Sequence, residues 1–187
     1  MNKKVLFIVH AAVIAALYVV LTFVANAFGL ANYAVQVRFS EALTILPFFT
    51  PAAIPGLTIG CLLSNILTGC ALPDIILGTL ASLLGAAGTY LLCNPLHSQK
   101  ANRDSKRLDK DTQKSCHANR KWLAPIPPIV ANTVIVPFVL LYAYGIRPLW
   151  LSFLTVGAGE IISCGILGMI LLNVLNKYRK QIFTINE

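Results

Sequence analysis

Charge is what this chain has least of: only 12% of its 187 residues are charged, against about 25% in ordinary soluble domains, and just seven are acidic. So small a polar complement cannot coat a soluble globule of this size. The chain has no G-x-x-x-x-G-K-[ST] phosphate loop, no H-E-x-x-H pattern, and no His and Ser that belong together within its apolar runs. It therefore carries no recognisable device for hydrolysing ATP, and no catalytic residue or cofactor is assigned to it. The five cysteines, at 61, 70, 93, 116 and 164, form no C-x-x-C pair and read as small packing residues. A metal site built from Cys93, His97, Cys116 and His117 would have irregular spacing and adjacent Cys-His ligands, so no metal is predicted.

Apolar residues, by contrast, make up 57% of the chain, with a mean hydropathy of +0.73. That surplus must meet lipid, and the length suits one compact membrane domain, residues 1–187, of several spans. The formal net charge of +8 raises the possibility of a nucleic-acid binder. The positions of the basic residues argue otherwise. Thirteen of the fifteen lie in three segments: Lys3 and Lys4; the eight from Lys100 to Lys121; and Lys177, Arg179 and Lys180. This is the signature of membrane topology, and no direct nucleic-acid partner is expected.

Val5 to Gly29 carries no ionisable group except His10 and would reach about 37 Å as a helix, enough for a first span. It exceeds the 7–15-residue core of a signal peptide and is expected to be retained. Between Arg38 and Asp74 the apolar run is broken by Pro47, Pro51, Pro55, Gly56 and Gly60, which predicts two shorter spans near 40–50 and 54–68. Further spans are expected at 75–93, 123–144 and 149–175. Six spans place both termini in the cytoplasm together with the basic loop 97–121, leaving only Arg38 and Arg147 outside. Reading 39–70 as one span would put the loop and the C-terminus on opposite sides. The expectation is thus an all-α, multi-pass protein of the cell membrane, the bilayer its first partner, with the loop a solvated, lipid-facing segment.

Setting the cytoplasmic charges aside leaves Arg38, Glu41, Asp74, Arg147 and Glu160. Glu160 falls twelve residues into the sixth span, where a charge costs about 3 kcal/mol unless it faces protein, water or ligand. Its helical neighbours Val156, Gly157, Cys164 and Gly168 are mostly small, so it is expected to point into the bundle, beside a ligand or in a structural bond to Asn132. Asn132 lies at a similar depth in the fifth span, so the two can converge. Arg38 and Glu41, three residues apart, can pair as a clip; Asp74, after Pro73, can be a helix cap or a ligand contact. In the first span Ala11 with Ala15 and Ala12 with Ala16 allow close approach of a helix, from this chain or from another.

The segment Val37-Arg-Phe-Ser-Glu-Ala-Leu-Thr-Ile-Leu-Pro47, with Lys121-Trp-Leu-Ala-Pro-Ile-Pro-Pro128, Asn132 and Gly159-Glu160, resembles the QueT family of queuosine-precursor transporters over nearly all the chain except 97–120. The resemblance implies the six-helix fold of a substrate-binding S-component of an energy-coupling factor (ECF) transporter, with an outward-facing site. It implies as partners a transmembrane T-component, met through Ala11, Ala12, Ala15 and Ala16, and two cytoplasmic ATPases that use the ATP. The implied substrate is a 7-deazaguanine such as 7-aminomethyl-7-deazaguanine. Glu160 would accept from the ring N–H and exocyclic amino group, and Asn132 would read the ring carbonyl or pyrrole N–H. Glu41 or Asp74 would neutralise the ammonium, and Tyr33, Phe39 or Trp150 would stack on the ring, with Arg38 at the outer mouth. A different class of function also fits an intramembrane carboxylate: a self-sufficient carrier driven by protons through Glu160.

Overall fold

A computed structural model describes residues 2–29, 38–93 and 121–183; Tyr33 and the basic loop 97–120 lie outside the described residues. Among the described residues every regular element is helical: α1 (Lys3–Ala27), a 3-10 helix (Phe39–Phe48), α2 (Ala53–Leu67), α3 (Leu72–Cys93), a 3-10 turn (Lys121–Leu123) leading into α4 (Ile126–Tyr144), α5 (Leu149–Glu160), a π-helical segment (Ile161–Leu167) and α6 (Gly168–Phe183). Four stretches, Lys4–Ala27, Leu72–Cys93, Lys121–Tyr144 and Leu149–Tyr178, are long and apolar enough to cross a membrane. Phe39–Phe48 and Ala53–Leu67 are shorter apolar helices.

Large aliphatic residues such as Ile8, Val20, Ile76 and Leu154 are exposed, whereas the inward faces carry small and polar ones. On α3 the buried face includes Asp74, Gly78, Ser82, Gly85 and Thr89; on α4 it includes Pro128, Asn132 and Val136; on α5, Ser152, Val156 and Glu160. Each series advances by three or four residues, one helical turn. This distribution suits lipid as the outer solvent, because association in lipid relies on close packing and polar contacts rather than on apolar burial.

The segment expected as an ordinary span near 40–50 is wound as a 3-10 helix, with Ser40 through Phe48 all buried. Pro47 lacks an N–H, so the α-helical bond to its i−4 partner cannot form. Thr44 turns its hydroxyl back onto the Glu41 carbonyl at 2.6 Å. The helix packs against α1, α2, α3, α6 and the π segment, so protein encloses it where lipid would otherwise touch it. Three-residue turns stack side chains at i and i+3, which puts Glu41 and Thr44 on one side.

Helices α1 and α2 approach closely. A side chain added at Gly60 would begin 2.8 Å from Tyr18 Cβ and 3.1 Å from Ala15 Cα, and one at Gly56 would begin 2.7 Å from the Ala11 carbonyl oxygen. The structure therefore divides the four alanines expected to meet a partner. Ala11 and Ala15 pack against α2 of the same chain, while Ala12 and Ala16 stay exposed on the outer face.

Helices α3 and α4 run antiparallel in close contact. Thr89 donates to the Ala124 carbonyl at 2.9 Å, and side chains added at Gly88 and Gly85 would meet Pro127 and Pro128 at 2.7 and 2.8 Å. At the opposite end Tyr144 reaches Asp74. This register sets Asn132 opposite the turn of α3 that contains Ser82.

Candidate functional site

Five separate segments bring polar side chains to one place inside the bundle. The 3-10 helix supplies Glu41, α4 supplies Asn132, the last residue of α5 is Glu160, α1 contributes Tyr18, and the π segment contributes Cys164. The Asn132 amide nitrogen donates to Glu41 Oε2 at 3.3 Å and to Glu160 Oε1 at 3.1 Å, joining the two carboxylates. Tyr18 donates its hydroxyl hydrogen to Glu41 Oε1. Cys164 lies 3.2 Å from Glu160 Oε2 and 3.3 Å from the Glu41 carbonyl oxygen, tying the π segment to both acids. Glu41, Asn132 and Glu160 are only 2%, 4% and 6% exposed, so their polar atoms depend on one another or on a guest.

A narrow cleft, with enclosed room for about one water, opens onto this cluster. Its polar walls are Arg38, Glu41, Ser82, Asn132 and Glu160; Val136 and Val156 form the apolar side, and Gly78 leaves a bare patch. Near the N-terminal end of α3, Arg38 Nη2 stands 4.0 Å from Asp74 Oδ2, the same oxygen that accepts from the Tyr144 hydroxyl at 3.2 Å. Tyr144 in turn accepts from the Ala71 N–H at 3.1 Å. Three carboxyl groups, Glu41, Glu160 and Asp74, stand in or beside the cleft against one guanidinium, and the two that share the Asn132 amide are too close and too buried to carry a full charge each. Such a cleft suits a guest that is rich in N–H donors or positively charged.

Glu41, Glu160 and Cys164 each offer a ligand atom within 4.8 Å of the others, a set that could hold a divalent cation. The same side chains are engaged by Tyr18, Asn132 and each other, which satisfies the cluster as a hydrogen-bonded network.

Several expectations need correction. Arg38 does not clip to Glu41: its backbone, at φ −101° and ψ 108°, is still extended, and the side chain reaches Asp74. Asp74 is not a helix cap, because α3 begins at Leu72 and Asp74 already donates its N–H to the Ala71 carbonyl at 2.9 Å. Trp150 is 63% exposed on the first turn of α5 and does not line the cleft; Phe39 is half-buried and does not line it either. The flat walls available to a ring are therefore aliphatic, Val136 and Val156. Sequence reasoning missed Tyr18, Gly78 and Ser82. A signal for each was present: Ala11, Ala15, Tyr18 and Thr22 form one small or polar stripe on α1, and Asp74, Gly78 and Ser82 form another on α3.

The profile of the QueT transporter family matches residues 8–177, taking in every element that builds the cleft. The chain belongs to the QueT transporter family. It is accordingly a multi-pass membrane protein of a transport family, with apolar helices of spanning length. Among curated proteins it is similar to the queuosine precursor transporter QueT of Lactococcus lactis subsp. cremoris (strain MG1363), 38% identical over 83 residues. That match takes in 44% of this chain and 48% of the relative, about half the length of each. No solved structure matches the chain.

Proposed function

We propose that this QueT-family chain is the substrate-binding S-component of an ECF-type importer, taking a queuosine precursor from outside the cell and delivering it to the cytoplasm. The observation that carries the reading is the pair of buried carboxylates joined by Asn132 at the head of a cleft, in a family of transporters. A 7-deazaguanine presents a ring N–H and an exocyclic amino group side by side. Two acceptors on Glu160 match that edge, and the Asn132 amide can exchange its bonds to the acids for bonds to the ring carbonyl or pyrrole N–H. Carboxyl groups that outnumber the single guanidinium favour the aminomethyl form among the precursors.

In this reading the chain crosses the membrane six times, with both termini and the basic loop in the cytoplasm. The 3-10 helix, about 20 Å long, and α2, about 22 Å, each fall short of a 30 Å hydrocarbon core. A short 3-10 pass is permissible where protein encloses it. The exposed alanines Ala12 and Ala16 form the close-approach surface for the T-component, and two ATPase partners consume ATP; the chain itself needs no cofactor.

The test is uptake of 7-aminomethyl-7-deazaguanine into vesicles containing the purified chain. Uptake that requires the T-component, the ATPases and ATP supports the S-component. Uptake by the chain alone under a proton gradient would instead establish a proton-coupled carrier working through Glu160.

A further inference from the structure

Glu41 and Glu160 are too close together to hold two ends of one ligand. Their ligand atoms lie within 4.8 Å, and one amide nitrogen bridges them. In an aminomethyl-deazaguanine the donor edge and the ammonium occupy opposite ends of a fused bicycle, further apart than that. If the acids take the donor edge, as the proposed function has it, a second anion must stand elsewhere along the cleft.

Asp74 has that position. On α3 it stands two turns, about 12 Å, from Ser82, which lines the cleft opposite Asn132. That separation suits a bicycle with a hydrogen bond at each end. Asp74 is 5% exposed and sits one layer behind the wall formed by Arg38 and Gly78. The wall is thin at Gly78, where an added side chain would begin 3.3 Å from Asp74 Oδ1 and 3.2 Å from the Asn65 amide nitrogen. The other oxygen, Oδ2, already faces a cation, the Arg38 guanidinium, but only at 4.0 Å, beyond hydrogen-bond length.

We propose that Asp74, reached past the bare face of Gly78, is the cation subsite of the cleft, with Arg38 as a resident placeholder for the ligand's ammonium. Asp74 is then the residue that distinguishes an aminomethyl-deazaguanine from uncharged forms. Arg38 gives up a long contact when the ligand arrives and swings toward the solvent side of the mouth. Tyr144 keeps Asp74 aimed while the cations exchange. The inference rests on the proposed function for the placement of the donor edge at Glu160.

The experiment is calorimetric titration of the purified full-length protein with the aminomethyl and cyano forms of 7-deazaguanine, for wild type and for Asp74→Asn, Gly78→Ala, Glu41→Gln and Glu160→Gln. Gly78→Ala removes no partner of Asp74 and thickens the wall, with Asp74 or Asn65 giving way by a few tenths of an ångström, so it covers the case in which Asp74→Asn fails to fold. The wild type should favour the aminomethyl form, and both α3 variants should lower the aminomethyl-to-cyano affinity ratio by about tenfold or more, the value of a charge-assisted bond. Glu160→Gln should weaken both forms together and leave the ratio in place. A ratio unmoved in both α3 variants, or one lost on Glu41→Gln instead, overturns the Asp74 subsite. Undiminished binding of both forms by Glu160→Gln overturns the underlying placement of the ring, a separate and distinguishable failure.

Discussion

Replacing Glu160 by Gln changes one atom and a charge in a side chain that is 6% exposed, and the surrounding bonds show why the fold should survive. The Gln carbonyl oxygen can keep the bond from Asn132, now 3.1 Å to Oε1. Its amino group then faces Cys164, 3.2 Å from Oε2, and that thiol retains a second acceptor in the Glu41 carbonyl at 3.3 Å. The internal network therefore loses little. A bound deazaguanine loses more: one ring donor that met a carboxylate oxygen now meets an N–H. A charge-assisted hydrogen bond contributes about 1.5–3 kcal/mol, and an opposed donor adds to the loss. We expect about 3 kcal/mol, roughly a hundredfold in Kd at 1.4 kcal/mol per decade. Calorimetry on the detergent-purified variant, alongside its thermal midpoint, measures both halves of the argument. Binding within about threefold of wild type, with an unchanged midpoint, would refute the assignment of Glu160 to the donor edge.

Other substitutions separate packing from recognition. Asn132→Leu removes the donor shared by Glu41 and Glu160 and leaves two buried acids facing each other, so the apo protein should lose roughly 2–4 kcal/mol of stability, read as a lower unfolding midpoint. Gly60→Leu drives a side chain into Tyr18 and Ala15 and should separate α1 from α2, at a cost of about 1–3 kcal/mol or more; an unchanged midpoint would mean that the helices do not meet there. Ala16→Trp, on the exposed face of α1, should abolish co-purification with the T-component and keep ligand affinity, whereas Ala15→Trp should damage the fold itself. Normal complex formation by Ala16→Trp would remove that face from the docking surface.

Much of the helical layout was legible because apolar runs longer than a bilayer core leave few alternatives, and because prolines at 47, 51 and 55 punctuate the one ambiguous stretch. Counting rise per residue sufficed to bring Asn132 to the depth of Glu160, and the structure hydrogen-bonds them directly. The winding of Phe39–Phe48 was not legible, since 3-10 and α-helix differ by how prolines and Thr44 are accommodated in a crowded interior, which depends on five other elements. That winding carries Glu41 to the same amide. The Arg38–Glu41 clip fails for a related reason, although Arg38 does line the cleft: i,i+3 pairing presumes helical backbone at both residues, and Arg38 is still extended. Tyr18 and Ser82 are uncharged and do not stand out in an apolar run as Glu160 does, although in a lipid-solvated helix any polar stripe at one-turn spacing marks the inward face. Trp150 shows the converse: an aromatic at a span end suits the membrane interface as well as a ligand.

In the proposed binding mode a deazaguanine lies in the cleft with its donor edge on Glu160. The most direct measurement is a structure of the lipid-reconstituted chain with 7-aminomethyl-7-deazaguanine bound. That binding mode puts ring nitrogens within hydrogen-bond distance of the Glu160 carboxylate and the bicycle between Val136 and Val156. Ligand density elsewhere on the chain, with Asn132 still bridging Glu41 and Glu160 as it does without ligand, would contradict it.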